Sequence, residues 1–451
     1  MNPTLILINP WIYDFAAYDL WSKPLGLLQL AGHLRQCGFK VRLIDCLDIH
    51  HPQMKDYPSM ARPKRRLYGT GKFWRGPVLK PAPLSDIKRP FSRYGIVPTL
   101  FEQELRAIRD PAAILVTSLM TYWYPGVKEA ISLARGIHPG VPVILGGTYA
   151  RLCTDHAIQN SGADFVVSGE EGIQGLLKAL EDNCITIPQN NPDPGARPYP
   201  AFDLLTKIDY ICLLTSFGCP YRCKYCASHF LNRRCTRRDP LEVLEEIIFW
   251  HKDFGIRDFA FYDDALLVES GIHAGVLLER LARLNLNLRF HTPNAIHVRE
   301  VSKEIADLMH RTGFRTIRLG LEASDISLHR LLGDKVGEGD FERSVGNLLG
   351  AGFKGKEIGA YILIGLPHQT VESVIETVHL VGRSGVIPYL SEYSPIPHTA
   401  LWEQARASSE YDLLSEPLFH NNTLLPCWDD SQQGELPRLK RLVSRIREKH
   451  R

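Results

Sequence analysis

The chain has 451 residues, 44% of them hydrophobic and 23% charged, with a formal net charge of +3. That length exceeds one typical domain and suits two or three, and the composition supports ordinary soluble cores. A charge so near balance gives no general case for nucleic-acid or membrane binding. No classical nucleic-acid module is visible, and no apolar run approaches the roughly 20 residues that span a bilayer.

Residues 1–182 alternate short β-rich runs with helical patterns. Met1 to Pro10 carries neither a basic leader nor a small-residue cleavage site, so it reads as a buried strand and the expected compartment is the cytoplasm. Strands are predicted at Thr4–Asn9, Val41–Asp45, Ala113–Ser118, Val141–Leu145 and Asp164–Val167. Helices are predicted at Leu25–Cys37, where Leu27, Leu30, Ala31 and Leu34 share a face and Gly38 is the stop, at Gly126–Ile137 and at Gly172–Leu180. Strands alternating with helices imply right-handed crossovers and an open, doubly wound α/β sheet. Residues 51–104 interrupt the rhythm with Pro, Lys, Arg and aromatics (Tyr68, Phe73, Trp74, Tyr94). A loop that long reads as a cap or strap, with a substrate clamp as the alternative. Residues 183–205, with Pro188, Pro192, Pro194, Pro198 and Pro200, have a linker's composition.

From 206 to 398 the rhythm returns, with strands at Tyr210–Ser216, Asp258–Tyr262, Leu288–Thr292, Thr316–Leu319, Glu357–Ile364 and Tyr389–Tyr393. Helical patterns fall at about 240–253, 271–284, 302–311, 340–350 and 371–384. Six βα units make a partial parallel barrel, whose working face lies at the C-terminal strand ends. The tail, 399–451, ends in a basic helix from Leu436 to His450, read as a solvated packing helix. The Arg233-Arg234 and Arg237-Arg238 pairs read as a solvated helix start, with contact to a phosphate or carboxylate as the alternative.

Ten scattered cysteines in a reducing compartment do not form a disulfide framework. Cys37, Cys46, Cys153, Cys184 and Cys212 read as small core residues; Cys235 and Cys427 are open. One group is tight: Cys219, Cys223 and Cys226, directly after the first barrel strand. Three thiolates turned to one point suit an iron–sulfur cluster with one iron left open. Zinc is the alternative, with Cys235 or His229 as fourth ligand.

The spacing CxxxCxxC, with Tyr225 before the last cysteine and a six-unit barrel behind it, resembles the radical S-adenosylmethionine (SAM) superfamily over 208–398. The resemblance implies a [4Fe-4S] cluster on Cys219, Cys223 and Cys226 whose open iron binds SAM, and cleavage of SAM to methionine and a 5′-deoxyadenosyl radical. It puts Tyr225 beside the adenine. It makes Asp263 or Asp264 an acceptor for the SAM ammonium, although many members have Gly-Gly-Glu there. It gives Glu322 a contact to the SAM ribose or amine, and Ile364 and Gly365 the adenine-side turn. Asp263 and Asp264 as helix caps, and Glu322 as partner of Arg318, are the structural alternatives. His291, Asn294, Tyr361 and Tyr393 are candidates for lining the substrate cavity. An external electron donor of the flavodoxin or ferredoxin kind is also implied.

The N-terminal domain is similar to cobalamin-binding domains. Thr117-Ser118-Leu119 resembles their Ser-x-Leu segment, Gly146-Gly147 their paired glycines, and Ser168-Gly169-Glu170-Glu171 follows the last strand. The histidine signature that supplies a lower cobalt ligand is missing, and His50 reads as incidental. The expectation is therefore a cobalamin-dependent radical SAM methyltransferase acting on an unactivated carbon or on phosphorus, with a small-molecule or peptide substrate that the sequence does not identify. Other radical outcomes, with or without cobalamin, and a non-enzymatic iron–sulfur sensor are the competing readings. A methylthiotransferase fits less well, because three further cluster cysteines and a C-terminal RNA-binding domain are not evident.

Overall fold

A computed structural model describes residues 2–169, 172–188 and 198–450. Glu170, Glu171, Pro192 and Pro194, singled out above, lie outside the described residues. The chain forms two compact units, one of residues 1–209 with 414–420, the other of 210–413 with 421–451.

The first unit contains β1 (Thr4–Asn9), β2 (Ile12–Asp14), β3 (Tyr18–Asp19), β4 (Lys40–Asp45), β5 (Gly71–Lys72), β6 (Arg75–Pro77), β7 (Ser92–Tyr94), β8 (Ala113–Val116), β9 (Val143–Leu145) and β10 (Phe165–Val166). Its helices are α1 (Leu25–Gln36), α2 (Pro98–Ala107), α3 (Tyr124–Ile137), α4 (Thr148–Leu152), α5 (Thr154–Asn160) and α6 (Ile173–Asp182). Five strands pair in parallel in the order β10-β9-β8-β1-β4. Numbered within this sheet, that is the order 2-1-3-4-5 of a flavodoxin-like doubly wound fold, whose switch point lies between the first and third strands. The alternation of β1 explains why both faces are covered. Leu5 and Leu7 pack with Leu27, Ala31 and Leu34 of α1, while Ile6 and Ile8 pack with Phe101 of α2 and Val127, Ala130 and Ile131 of α3. Each of these Leu, Ile, Val and Phe side chains contributes about 1.5–3 kcal/mol on burial.

The interrupting stretch ends sooner than its composition suggests. Pro98 opens α2, and Leu100, Phe101 and Leu105 bury one of its faces, so α2 is the crossover helix between β4 and β8. The rest of the stretch supplies β5, β6 and β7, which join β2 and β3 from before it in two antiparallel sheets, β2-β7-β6 and β3-β5. Residues 198–204 also pack rather than hang free: Ala201 N–H donates to Leu28 O at 2.9 Å. Cys184 corrects the core reading, because it is exposed and left-handed (φ 60°) at the end of α6. Cys37, Cys46 and Cys212 are buried and Cys153 partly so.

The second unit contains β11 (Ile211–Leu213), β12 (Ser216–Phe217), β13 (Thr236–Arg237), β14 (Asp258–Phe261), β15 (Arg289–His291), β16 (Ile296–His297), β17 (Phe314–Glu322), β18 (Ile358–Ile364) and β19 (Ile387–Glu392). Its helices are α7 (Ser228–Leu231), α8 (Pro240–Phe254), α9 (Ala274–Leu284), α10 (Lys303–Thr312), α11 (Ile326–Leu332), α12 (Asp340–Gly350), α13 (Val371–Arg383), α14 (Trp402–Ser408), α15 (Asp430–Gly434) and α16 (Leu436–Lys449). A parallel sheet runs β11-β14-β15-β17-β18-β19, with β16 on the end of β17. This is a partial barrel of six βα units. The predicted strand Tyr210–Ser216 breaks in two, because Ser216 and Phe217 leave the barrel to pair antiparallel with β13. The Arg237-Arg238 pair is accordingly no solvated helix start. Arg238 is half-buried, ion-paired with buried Glu246 at 2.6 Å and donating to Leu214 O at 2.9 Å. The final helix buries Leu439, Val443 and Ile446 and turns most of its charges outward, while Arg447 stacks on the Tyr389 ring at 4.3 Å and donates to Pro388 O at 3.0 Å. No described helix is long and apolar enough to cross a membrane.

Candidate functional site

The loop after β12 carries the three clustered cysteines. Cys226 N–H donates to Cys223 O at 3.0 Å, and Lys224 N–H donates to Leu332 O at 2.9 Å. The loop lies so close to Gly333 (φ 124°) that a Cβ there would stand 3.0 Å from Cys223 Cα. All three thiols are free. Burial pushes each above the ordinary thiol value, Cys219 to about 12. Nearby charges act on all of them: Cys223 and Asp264 raise Cys219 further, Lys335 lowers Cys223, and Asp264 raises Cys226.

Three thiols that are buried or half-buried, each held above the ordinary thiol value, need a cation to become thiolates, and a metal centre supplies it. Among the described residues no three His, Cys, Asp or Glu side chains gather closely enough to hold a single ion. Three free thiols on one short loop are the donor set that a four-iron cluster takes, each on a different iron. Cys235, weighed as a fourth zinc ligand, is exposed, with its Sγ 3.9 Å from Gly218 O. Cys427 is buried and directed at Ala405 O.

Beside the loop, β17 ends in a bulge that puts Glu322 at φ 68°. Its buried carboxylate pairs with Lys335, not with Arg318. Arg318 instead stacks on the Tyr389 ring at 4.3 Å. Lys335 Nζ stands 5.6 Å from the centre of the Tyr225 ring. Burial alone would lower its pKa, but Glu322 and Cys223 raise it above the ordinary lysine value, so Lys335 is a fixed cation. Asp264 is exposed and accepts from Ser228 Oγ. His297 was not anticipated either. Its Nε2 lies 3.8 Å from Cys219 Sγ and its ring 4.4 Å from that of Tyr221. Burial and Lys335 push its pKa down to about 4, so it is neutral at physiological pH. Tyr225, Asp264 and Glu322 thus gather with the cysteines, as do two residues with no sequence signal of their own, Lys335 and His297.

Other expected residues are committed elsewhere. Asp263 accepts from Thr215 N–H at 3.0 Å, Thr215 Oγ1 at 2.7 Å and Ser216 Oγ at 2.6 Å. It ties down the approach to the cysteine loop and offers SAM no open face. His291 is fully buried between Asp258 and Thr316, which corrects its reading as a cavity residue. Asn294 is exposed, with its amide donating to Tyr262 O at 2.7 Å, and Tyr361 donates to Pro293 O at 2.9 Å. Tyr393 is buried, and its hydroxyl finds no hydrogen-bond partner among the described residues. Ile364 is buried and its carbonyl accepts from Tyr393 N–H at 2.8 Å, while Gly365 follows at φ 88°.

In the first unit the ends of β8 and β9 lock together. Ser118 Oγ donates to Gly146 O at 2.7 Å, and Thr148 N–H donates to Ser118 O at 2.8 Å. Thr117 N–H donates to Ile8 O at 3.1 Å, which fixes this segment at the switch point. Gly147 has φ 94°, and a Cβ there would lie 2.2 Å from Ser118 O. Gly146 faces open space within 4 Å, and Leu119 and Met120 are exposed beside it. Bare backbone next to exposed apolar side chains fits a large, flat cofactor such as cobalamin. Gly169, beyond β10, is exposed. His50 is held by Asp209 at 2.5 Å, both within this unit.

Residues 213–381 match the family model of the radical SAM superfamily, and residues 98–174 match the B12 binding domain. The chain is 22% identical over 331 residues to an uncharacterized methyltransferase of Pyrococcus horikoshii, covering 66% of this chain and 70% of that one. It is 20% identical over 425 residues to cytidylyl-2-hydroxyethylphosphonate methyltransferase of Streptomyces wedmorensis, covering 80% and 73%. The radical SAM methyltransferase TsrM of Kitasatospora setae, solved with tryptophan substrate and the SAM analogue aza-SAM, superposes with a TM-score of 0.67 at 16% identity, covering 99% of this chain and 89% of that one.

Proposed function

The chain belongs to the radical SAM superfamily, in the subgroup with an N-terminal B12-binding domain, and from that premise we propose that it is a cobalamin-dependent methyltransferase acting on an unactivated carbon or on phosphorus. The observation that supports this most directly is the gathering of three free thiols with Glu322, Lys335 and Tyr225 at the strand ends of the barrel. When bound, the cluster with SAM supplies one-electron cleavage and a hydrogen-abstracting radical, and cobalamin supplies the methyl carrier. Cys219, Cys223 and Cys226 would hold the cluster. Asp264 has the exposed carboxylate to accept from the SAM ammonium. Glu322 and Lys335, charged and buried side by side, orient polar groups of SAM without bulk water, where such interactions are strongest. Tyr225 gives the adenine a flat neighbour. Thr117, Ser118, Leu119, Gly146, Gly147 and Gly169 would meet cobalamin.

Radical SAM chemistry needs an external reductant; a flavodoxin or ferredoxin and a cytoplasmic setting, where thiols stay reduced, complete the proposal. The test is anaerobic reconstitution with iron, sulfide, cobalamin and SAM under a strong reductant. 5′-Deoxyadenosine should form and should vanish in Cys223→Ala, with cobalamin retained after desalting. An intact cluster that never cleaves SAM would refute the enzymatic reading, and deoxyadenosine without retained cobalamin would refute cobalamin dependence.

A further inference from the structure

The sulfurs of the cysteine loop do not all draw on the same kind of hydrogen-bond donor. Cys226 Sγ accepts from the backbone N–H of Ser228 at 3.4 Å, a bond that belongs to the loop itself. Cys219 Sγ instead meets a side chain from a different strand, His297 of β16, whose Nε2 stands 3.8 Å away. Neither the SAM contacts nor the cobalamin crevice uses this histidine.

The fold holds the imidazole in place. The backbone of β16 pairs in parallel with β17, with His297 opposite Gly320. The ring packs on that of Tyr221, 4.4 Å from centre to centre. Tyr221, itself in the cysteine loop, is anchored by its hydroxyl, which donates to Glu300 Oε1 at 2.9 Å. His297 is 7% exposed, and the backbone at Asp264 also lies near enough to act on its ring. An apolar ring would fill the same space; what it would lack is a nitrogen directed at sulfur.

An iron-bound thiolate has lone pairs and no hydrogen to give, so the contact at Cys219 is attractive only when Nε2 carries the ring's hydrogen. Nδ1 is buried without a hydrogen-bond partner among the described residues, so a hydrogen placed there would be stranded, whereas one on Nε2 has Cys219 to receive it. Hydrogen bonds to the sulfurs are among the factors that set a cluster's reduction potential. The reduced form carries one more negative charge than the oxidised form, so a donor stabilises it more and raises the potential.

We propose that His297, acting through Cys219, donates Nε2–H to the sulfur and raises the reduction potential of the cluster toward that of the external electron donor. One electron enters from that donor, no bond is made or broken, and His297 keeps its hydrogen. The inference rests on the cluster assignment above and makes His297 a positioning residue, read through an equilibrium property rather than turnover.

The experiment reconstitutes the full-length protein anaerobically with iron, sulfide and cobalamin and withholds SAM. The reduced cluster is followed by electron paramagnetic resonance at a series of poised potentials, for wild type, His297→Phe and His297→Gln. Phenylalanine fills the space without a donor, and the glutamine amide restores one. Iron per chain and near-ultraviolet circular dichroism are read on every sample. In His297→Phe the reduction equilibrium should fall about tenfold, which is about 59 mV for one electron, while His297→Gln should stay within about threefold of wild type. A potential in His297→Phe equal to or above that of wild type overturns the proposal. So does an equal fall in both variants, which reports packing or solvent access rather than a hydrogen bond. Where His297→Phe holds too little cluster to titrate, the wild-type chain labelled with nitrogen-15 histidine decides. Pulsed resonance on its reduced cluster should show coupling to a histidine nitrogen, and a spectrum without that coupling overturns the proposal. Wild-type protein that takes up no cluster refutes the cluster assignment and this proposal with it, an outcome distinct from a bound cluster whose potential is indifferent to His297.

Discussion

Replacing Lys335 with methionine keeps the length of the side chain and removes its charge. In the native chain Lys335 and Glu322 are both buried, with side chains 10% and 8% exposed, and each is the other's ion-pair partner. Lys335→Met therefore strands a carboxylate inside the second unit. Breaking a buried pair from one side costs about 3–5 kcal/mol, because the remaining charge loses its partner but not its desolvation. The residual exposure argues for the low end, about 3 kcal/mol, or a little over two decades in the folding equilibrium. Urea denaturation of the metal-free protein under anaerobic conditions, followed by near-ultraviolet circular dichroism, reads the loss. The double variant Lys335→Met with Glu322→Gln should recover at least half of it, since no charge is left unpaired. A single variant within about 0.5 kcal/mol of wild type, or a double variant no better than the single, would refute the argument that this pair is dry and mutually dependent.

Gly147→Ala forces a side chain into a left-handed backbone with its Cβ 2.2 Å from Ser118 O. It should destabilise the first unit by more than about 1 kcal/mol and lower cobalamin retention, both measurable by thermal melting and by absorbance after desalting. Arg238→Gln removes the donor to Leu214 O and the partner of buried Glu246. Loosening the strand that leads into the cysteine loop should reduce the iron retained per chain after reconstitution, as counted by colorimetric iron assay. Burial would raise the Asp258 pKa, but hydrogen bonds from His291 and Arg289 bring it below the ordinary carboxylate value. Its contribution is therefore fully present above about pH 4 and is lost as the pH falls through the lower, folded value. Between pH 5 and 3 the urea midpoint of wild type should fall more steeply than that of Asp258→Asn, and equal slopes would refute the assignment.

The alternating sheet, the six-unit barrel and the cysteine loop were legible because each leaves a local signature: a period of two or 3.6, or a fixed spacing. What escaped was set by distant partners. Lys335 carries no motif, and its importance comes from a bulge in β17 that turns Glu322 toward it. His297 looks like any histidine in a polar run until β16 packs beside the cysteine loop. Asp263 and Asp264 are adjacent and chemically identical, yet Thr215 and Ser216 claim the first and leave the second exposed. The helix α2 was hidden because the Pro-rich insertion runs straight into Pro98, which is a turn residue in one context and a first-turn helix residue in the other.

The short segment 414–420 belongs to the first unit although it is made after nearly all of the second. His420 Nδ1 lies 2.9 Å from Thr121 Oγ1, and Tyr124 reaches Glu416 at 3.4 Å, at the start of α3. On the ribosome, then, the unit that emerges first is among the last to be completed. Its five-stranded sheet can assemble early, but the seat around Thr121 stays open to water until residue 420 has cleared the exit tunnel. A nascent chain stalled before that point carries a first unit that is folded but unfinished.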